Sequence, residues 1–377
     1  MLGASERVQV GGPYFEDFQV GQVFNDAPAL TLTCGHAALH QALTGDRLRL
    51  ALDAQLSRAV TGSERQLAHP NLVCDVAIGQ STGPTQRVLG NLFYRGLVLL
   101  APVFVGDTLY TRTRVVALKR NAVRPGRPAT GLVALRIQTE NQHGERVLDF
   151  WRCPMIPLRI GAGDTGDDGG LQDIPPDLDP RSVRQAVPAN WRLDELRDRV
   201  EGEHFAQVAS GTVWDIGGRD TVTGATELVR LTLNLAAAHS DAGATAHGRR
   251  LVYGGHTISI AASHTTRALP NLATIVAWHG CDHLGPVFEG DVLRTELTLE
   301  AKDPLEQGDC STSARWSGPS ATKASSGCRS RCWTGASSES WHERHPQRHA
   351  GGGGLGVRRR AARGDDPGPA RRRRDPL

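Results

Sequence analysis

The chain has 377 residues, 39% of them apolar, and a formal net charge of +3. That length makes two domains the natural expectation, and the apolar content suffices for ordinary cores. So small a charge excludes nucleic acid as an expected partner. The excess also gathers at the end, in Arg358 to Arg360 and Arg371 to Arg374. No opening stretch is charged then apolar, and no apolar run nears membrane-spanning length, so a cytoplasmic protein with no membrane partner is expected.

The first unit spans 12–159. It opens on Gly12-Pro-Tyr-Phe-Glu-Asp-Phe-Gln-Val-Gly-Gln22, a segment closing in a Val-Gly turn. Thr31 to Leu43 carries Ala37, Ala38, Leu39, Ala42 and Leu43, the apolar face of a short helix. Strands follow over Leu109 to Leu118, Gly131 to Glu140 and Arg146 to Ile156, the last two joined by an Asn141-Gln-His-Gly-Glu145 hairpin signal. One helix and then antiparallel strands is an α+β pattern. Residues 160–191 open rich in Gly, Asp and Pro and are expected as a solvated linker. The second unit, 192–308, repeats the order: helix over Thr226 to Ala238, helix over Ile258 to Leu269 after Gly254-Gly255, strand over Asp291 to Ala301.

The repetition is literal in places. Val103-Phe-Val-Gly-Asp107-Thr-Leu109 returns as Val287-Phe-Glu-Gly-Asp291-Val-Leu293. The aspartates stand 184 positions apart, and so do the preceding aromatics Tyr94 and Trp278. The chain is an internal duplication.

After Gly308 the composition changes abruptly to Ser, Arg, Cys and Trp, with almost no aliphatic residues. Regrouping each codon's third base with the next two explains the change. Trp333-Thr334 must then give Asp, and Trp341-His342 must give Ala. Free codons allow Leu-Asp-Trp-Arg-Phe-Val-Gly-Val-Met-Ala over Cys332 to His342, against Leu148-Asp149-Phe150-Trp151-Arg152 in the first unit. Asp309 to Ser313 yields Leu-Leu-Asp-Leu in the same way. Residues 309–377 therefore read as a frameshift-derived tail, expected to be disordered, which leaves the second unit two strands short; a genuine low-complexity tail is the alternative. Cys328 and Cys332 lie within it and carry no metal argument. The seven cysteines lack paired spacing and are expected as reduced or incidental thiols.

The second unit holds Asn234-Leu-Ala-Ala-Ala-His239 and then Arg249-Arg250-Leu-Val-Tyr253-Gly254-Gly255-His256. The first has Asp46 and Ala51 at the corresponding places. This spacing resembles the MaoC-like, or hydratase 2, family, whose motif is Asp-x-Asn-Pro-x-His before a glycine that opens the central helix. The Gly-Arg-Arg-Leu-Val-Tyr-Gly-Gly-His run and the Phe-Glu-Asp-Phe opening are similar to two-unit mesaconyl-CoA hydratases, also called β-methylmalyl-CoA dehydratases.

The resemblance covers about residues 10 to 305. It implies a double hot-dog fold and a hydro-lyase acting on an acyl-CoA, with no cofactor beyond the substrate's coenzyme A. It also implies a pseudo-dimer within one chain, with a homodimer possible. His239 falls on the family's catalytic histidine and Asn234 where the wider family has aspartate. Ala51 leaves the first unit silent, its role being to shape the pocket. An amide orients water but cannot take its proton.

The chemistry needs a base near neutrality, which histidine supplies, and fixed donors for an enolate-like oxygen, for which the Gly254 and Gly255 N–H groups are candidates. A dicarboxylic acyl group also needs a cation, and Arg249, Arg250 and His256 are the nearest in sequence, with Tyr253 beside them. His279 and His283, flanking Cys281 and Asp282, suggest a pocket wall more than a metal site. The plain alternatives are a backbone-satisfied His239, glycines that serve only packing, and solvated arginines. Three further functions stay open: hydration of ordinary 2-enoyl-CoA, non-catalytic acyl-CoA binding, and thioester hydrolysis.

Overall fold

The repeated phrase folds identically twice. Phe104 N–H donates to Asp107 Oδ2 at 2.8 Å, and Phe288 N–H donates to Asp291 Oδ2 at 3.0 Å. Each aspartate's own N–H returns to the carbonyl of the same phenylalanine. Gly106 and Gly290 take φ of 102° and 91°, a conformation that favours glycine.

The computed structural model describes residues 10–123, 125–159, 168–201, 208–304, 312–318 and 328–334, the last two as backbone. The first half runs β1 (Val23–Phe24), β2 (Leu30–Thr31), α1 (Cys34–Thr44), α2 (Arg49–Leu52), α3 (Ala54–Thr61), α4 (Pro70–Gln80), β3 (Gly90–Leu99), β4 (Thr108–Arg120), β5 (Thr130–Glu140) and β6 (Arg146–Pro157). A connection follows with β7 (Asp168–Gly169), α5 (Pro180–Ala186) and α6 (Leu193–Arg199). The second half repeats the plan with β8 (Val213–Asp215), β9 (Asp220–Thr221), α7 (Ala225–Leu231), α8 (Ala237–Ser240), α9 (Gly254–Ala268), β10 (Ala277–His283), β11 (Val292–Leu293), β12 (Glu296–Pro304), β13 (Thr312–Gly318) and β14 (Cys328–Thr334).

One sheet carries both halves, in the order β1-β4-β5-β6-β3-β10-β14-β13-β12-β8. The halves meet at β3 and β10, where Tyr94 opposes Cys281 and Leu97 opposes Trp278. Tyr94 and Trp278 are 184 apart, as are Leu97 and Cys281, so a pseudo-two-fold axis runs through this pair. Behind the sheet α4 and α9 cross as the buried helices of the two halves. All of α4 is buried. Its Asp75 accepts a hydrogen bond from Ser259 of α9 at 3.1 Å. The fold is the α+β double hot-dog that the resemblance implies.

Several expectations are corrected. The central helix α4 is absent from the sequence reading, although His69 caps it through Nδ1 and Pro70 sits at its first position. The helix expected over Thr226 to Ala238 breaks after Leu231. There Thr232 Oγ1 donates to the Leu228 carbonyl at 2.8 Å and Leu233 takes a φ of 59°. The linker is not merely solvated. Leu178, Val183 and Ala186 pack on Val98, Val276 and Ala277, and just beyond the expected linker Leu196 and Val200 pack with Leu50, Leu56 and Val60 of the first half. Composition hid these sparse apolar anchors. The described residues from Val10 to Thr334 fall within one compact unit.

The tail is corrected as well. β13 and β14 are strands, paired with β12 and β10 in the topological places of β5 and β6. Ladder hydrogen bonds are made by backbone groups, so an edge can recruit a strand whose sequence lacks aliphatic alternation. The rest of the expected disordered tail lies outside the described residues. Cys34 and Cys153 are unbridged. Cys281 is disulfide-bonded, against the expectation of reduced thiols, a pairing that spacing along the chain cannot reveal.

Candidate active site

The segment that carries Asn234 and His239 is seated on the first half. A Cβ at Gly79 of α4 would overlap the Thr232 carbonyl oxygen, so only glycine lets this backbone approach. Thr82 Oγ1 accepts the Leu235 N–H at 2.8 Å, and the Gln86 carbonyl accepts the Ala237 N–H at 2.9 Å. Between the halves lies a cavity of about 280 Å³, lined by Asn234, His239, Tyr253 and Gly254 with Tyr94, Arg152 and His283.

His239 sits on α8 with Nδ1 2.9 Å from the Leu251 carbonyl. That oxygen can only accept, so Nδ1 carries the proton and Nε2 keeps its lone pair. No described residue bonds Nε2. Burial holds this imidazole below its ordinary value; the Leu251 bond opposes that and the Arg152 charge adds to it. The Asn234 side-chain oxygen accepts the Ala236 N–H at 2.9 Å, while its amide N–H groups bond to no described residue and can donate to a ligand.

Tyr253 packs edge-on to His239 at 5.8 Å between centroids, and burial and the Asp75 charge push its hydroxyl well above the ordinary value. Burial, with a smaller contribution from His239, holds the His283 ring down at about 4 against the pull of Asp282. It lies so close that a Cβ at Gly254 would strike it. The Gly254 and Gly255 N–H groups that open α9 have no partner within the helix and Tyr253 gives them no side-chain cap, while the His256 N–H turns back to the Tyr253 carbonyl at 3.0 Å.

The other anticipated residues lie elsewhere. Gly255 is not part of the lining; a Cβ there would meet Asp75 and the Tyr253 ring, so this glycine serves close packing. His256 is fully buried, with Nε2 3.3 Å from the Leu43 carbonyl, and it too is outside the lining. Arg249 and Arg250 are exposed. Arg249 stacks over Phe288, and Arg250 pairs with Glu289 at 3.2 Å. Neither is part of the cavity lining. His283 does form a wall, and no group of three potential metal ligands occurs among the described residues.

Sequence reasoning missed Arg152 and Tyr94, which face each other across the β3–β6 ladder. The signal was present: Arg152 follows Leu148 and Phe150 at strand period on an inward face, and a charge there is anomalous.

A family model for mesaconyl-CoA hydratase matches residues 4–271. The chain belongs to the mesaconyl-CoA hydratase family. The β-methylmalyl-CoA dehydratase of Chloroflexus aurantiacus is 30% identical over 306 residues, 77% of this chain and 83% of that protein. The mesaconyl-CoA hydratase of Cereibacter sphaeroides is 30% identical over 304 residues, 79% and 85% of the two chains. A solved structure of a conserved hypothetical protein from Mycobacterium tuberculosis, described as a double hot-dog, is 46% identical with a TM-score of 0.75. It covers 86% of this chain and 99% of its own.

A member of this hydratase family is a hydro-lyase. Among the described residues no helix is long and apolar enough to cross a membrane. The arrangement around His239 has no copy in the first half. There Ala51 replaces His239, Leu99 replaces His283, and His69, in place of Tyr253, lies 3.0 Å from Asp46 Oδ2.

Proposed function

We propose that the chain reversibly hydrates a branched C4-dicarboxylic enoyl-CoA of the mesaconyl-CoA type, with His239 as its acid/base. One observation carries this reading: His239 lines the cavity, and its bond to Leu251 selects the tautomer whose Nε2 keeps a lone pair. A lowered pKa keeps that nitrogen unprotonated near neutrality, as a base requires.

Nε2 takes a proton from water as the water oxygen bonds to the β-carbon. The π electrons of the C=C bond move toward the thioester oxygen, and the enolate α-carbon then takes a proton from the imidazolium. One O–H bond breaks, one C–O and one C–H bond form, and the histidine is restored. Dehydration runs the same steps backwards. Asn234 orients the water through its amide donors. The α9 N-terminus at Gly254 offers N–H groups and a partial positive charge to the developing oxyanion. Water and thioester supply every atom, so the reading calls on no cofactor besides the coenzyme A of the substrate.

Loss of enoyl-thioester absorbance tests it, with mesaconyl-CoA and crotonyl-CoA compared. Hydration of mesaconyl-CoA is the expected result. Hydration of crotonyl-CoA alone would make the chain an ordinary enoyl-CoA hydratase, and binding without turnover would leave it a non-catalytic acyl-CoA protein.

A further inference from the structure

We propose that Arg152, carried by the half without the catalytic histidine, binds the free carboxylate of the acyl group. Arg152 is 3% exposed and lines the cavity together with His239 and Asn234. Its Nη2 donates to the Ser81 carbonyl and to Thr85 Oγ1, both at 2.7 Å. Both acceptors are neutral. Among the described residues no carboxylate pairs with it, and its buried Nε has no partner at all.

A buried guanidinium without a counter-ion is costly, and proteins keep one where an anion completes it. The Nη2 bonds tie the C-terminal end of α4, so packing accounts for one nitrogen and leaves the others unexplained. A guanidinium that lines the cavity and is held only by neutral acceptors matches a carboxylate. The pseudo-dimer thereby divides its labour: the second half supplies the acid/base, and the first supplies the cation that selects the acyl chain. Arg152 is a specificity residue.

The inference rests on reading the cavity as an acyl-CoA site, and its test does not require turnover. Binding of two unreactive saturated thioesters, methylsuccinyl-CoA and isobutyryl-CoA, is measured calorimetrically on the full chain. The wild-type protein should prefer the dicarboxylic thioester by at least about 10-fold, the yield of charge-assisted hydrogen bonds. Arg152→Gln should abolish that preference while still binding isobutyryl-CoA, and Arg152→Lys should restore part of it. No wild-type preference, or equal losses for both ligands in Arg152→Gln, would overturn the assignment. The wild-type comparison stands even if a variant fails to fold. Preference without hydration of any enoyl-CoA would instead refute the proposed reaction and leave Arg152 in place.

Discussion

Asp46 and Asn234 hold the same bend in the two halves, 188 positions apart. Each side-chain oxygen accepts the backbone N–H two residues on, from Leu48 at 2.7 Å and from Ala236 at 2.9 Å. The bend is therefore indifferent to whether the residue is acid or amide, and the cavity is not. Asn234→Asp should fold normally and place a negative charge beside His239, favouring the imidazolium. The acid limb of its pH–rate profile should move to higher pH. An unmoved limb would mean that the Asn234 side chain does not act on the site.

His239 itself is tested by removal. His239→Ala should lower turnover by roughly 10²–10⁴-fold, the usual contribution of general acid–base catalysis, with an unchanged melting midpoint. In the wild-type enzyme hydration should rise with pH through a limb below 6.5, because burial lowers the pKa and the neutral ring is the active form. Near-normal turnover in the variant would remove His239 from the chemistry.

His283 gives stability its own pH dependence. Its folded pKa of about 4 lies below the unfolded value of 6.5, so between those limits the unfolded chain binds the proton and the folded one does not. Stability should therefore fall as pH drops from about 6.5 to about 4, by roughly 3 kcal/mol from this residue. His283→Leu, which copies Leu99 of the first half, should flatten that slope in denaturant titrations. An equal slope would assign the acid sensitivity to other groups.

Leu233 takes the left-handed backbone that Gly45 takes at the matching place, with φ of 59° against 69°. A residue with a side chain is strained there by roughly 1–2 kcal/mol. Asparagine tolerates the conformation better, so Leu233→Asn should stabilise the protein by about 1 kcal/mol in denaturant titration. Turnover should hold, since Asn234 keeps its bond to Ala236. A lower midpoint would show the strain to be absent.

The legible parts of this chain were those with a local or repeated pattern. The 184-residue repeat gave the pseudo-two-fold pair at β3 and β10. The 188-residue repeat matched Asn234 and His239 with Asp46 and Ala51, and α8 and α2 are equivalent helices at those places. What could not be read depended on the third dimension. Arg249 and His256 are near Gly254 in sequence, yet one lies on the surface and the other faces α1. Arg152 is far in sequence and reaches the cavity across the seam. Helix α4 escaped because it is buried on every side, so that its polar residues Asn71 and Asp75 turn to α9 rather than to solvent and leave no amphipathic period.

The last prediction concerns β13 and β14. Their pairing keeps the topology of β5 and β6, but the residues there are rich in Ser, Arg and Cys, where the first half has Leu135, Ile137, Leu148 and Phe150 in its core. The regrouped reading puts Leu-Leu-Asp-Leu around the start of β13 and Leu-Asp at the end of β14, with Trp-Arg-Phe following in sequence, and so restores aliphatic side chains to the same strands. Each large apolar side chain so buried adds roughly 1.5–3 kcal/mol. DNA read across codon 308 should reveal the shift in frame. The frame-restored protein should be more soluble than the chain as written, and should melt at a clearly higher temperature. Equal midpoints for the two proteins would show that these residues are the genuine ones for their strands.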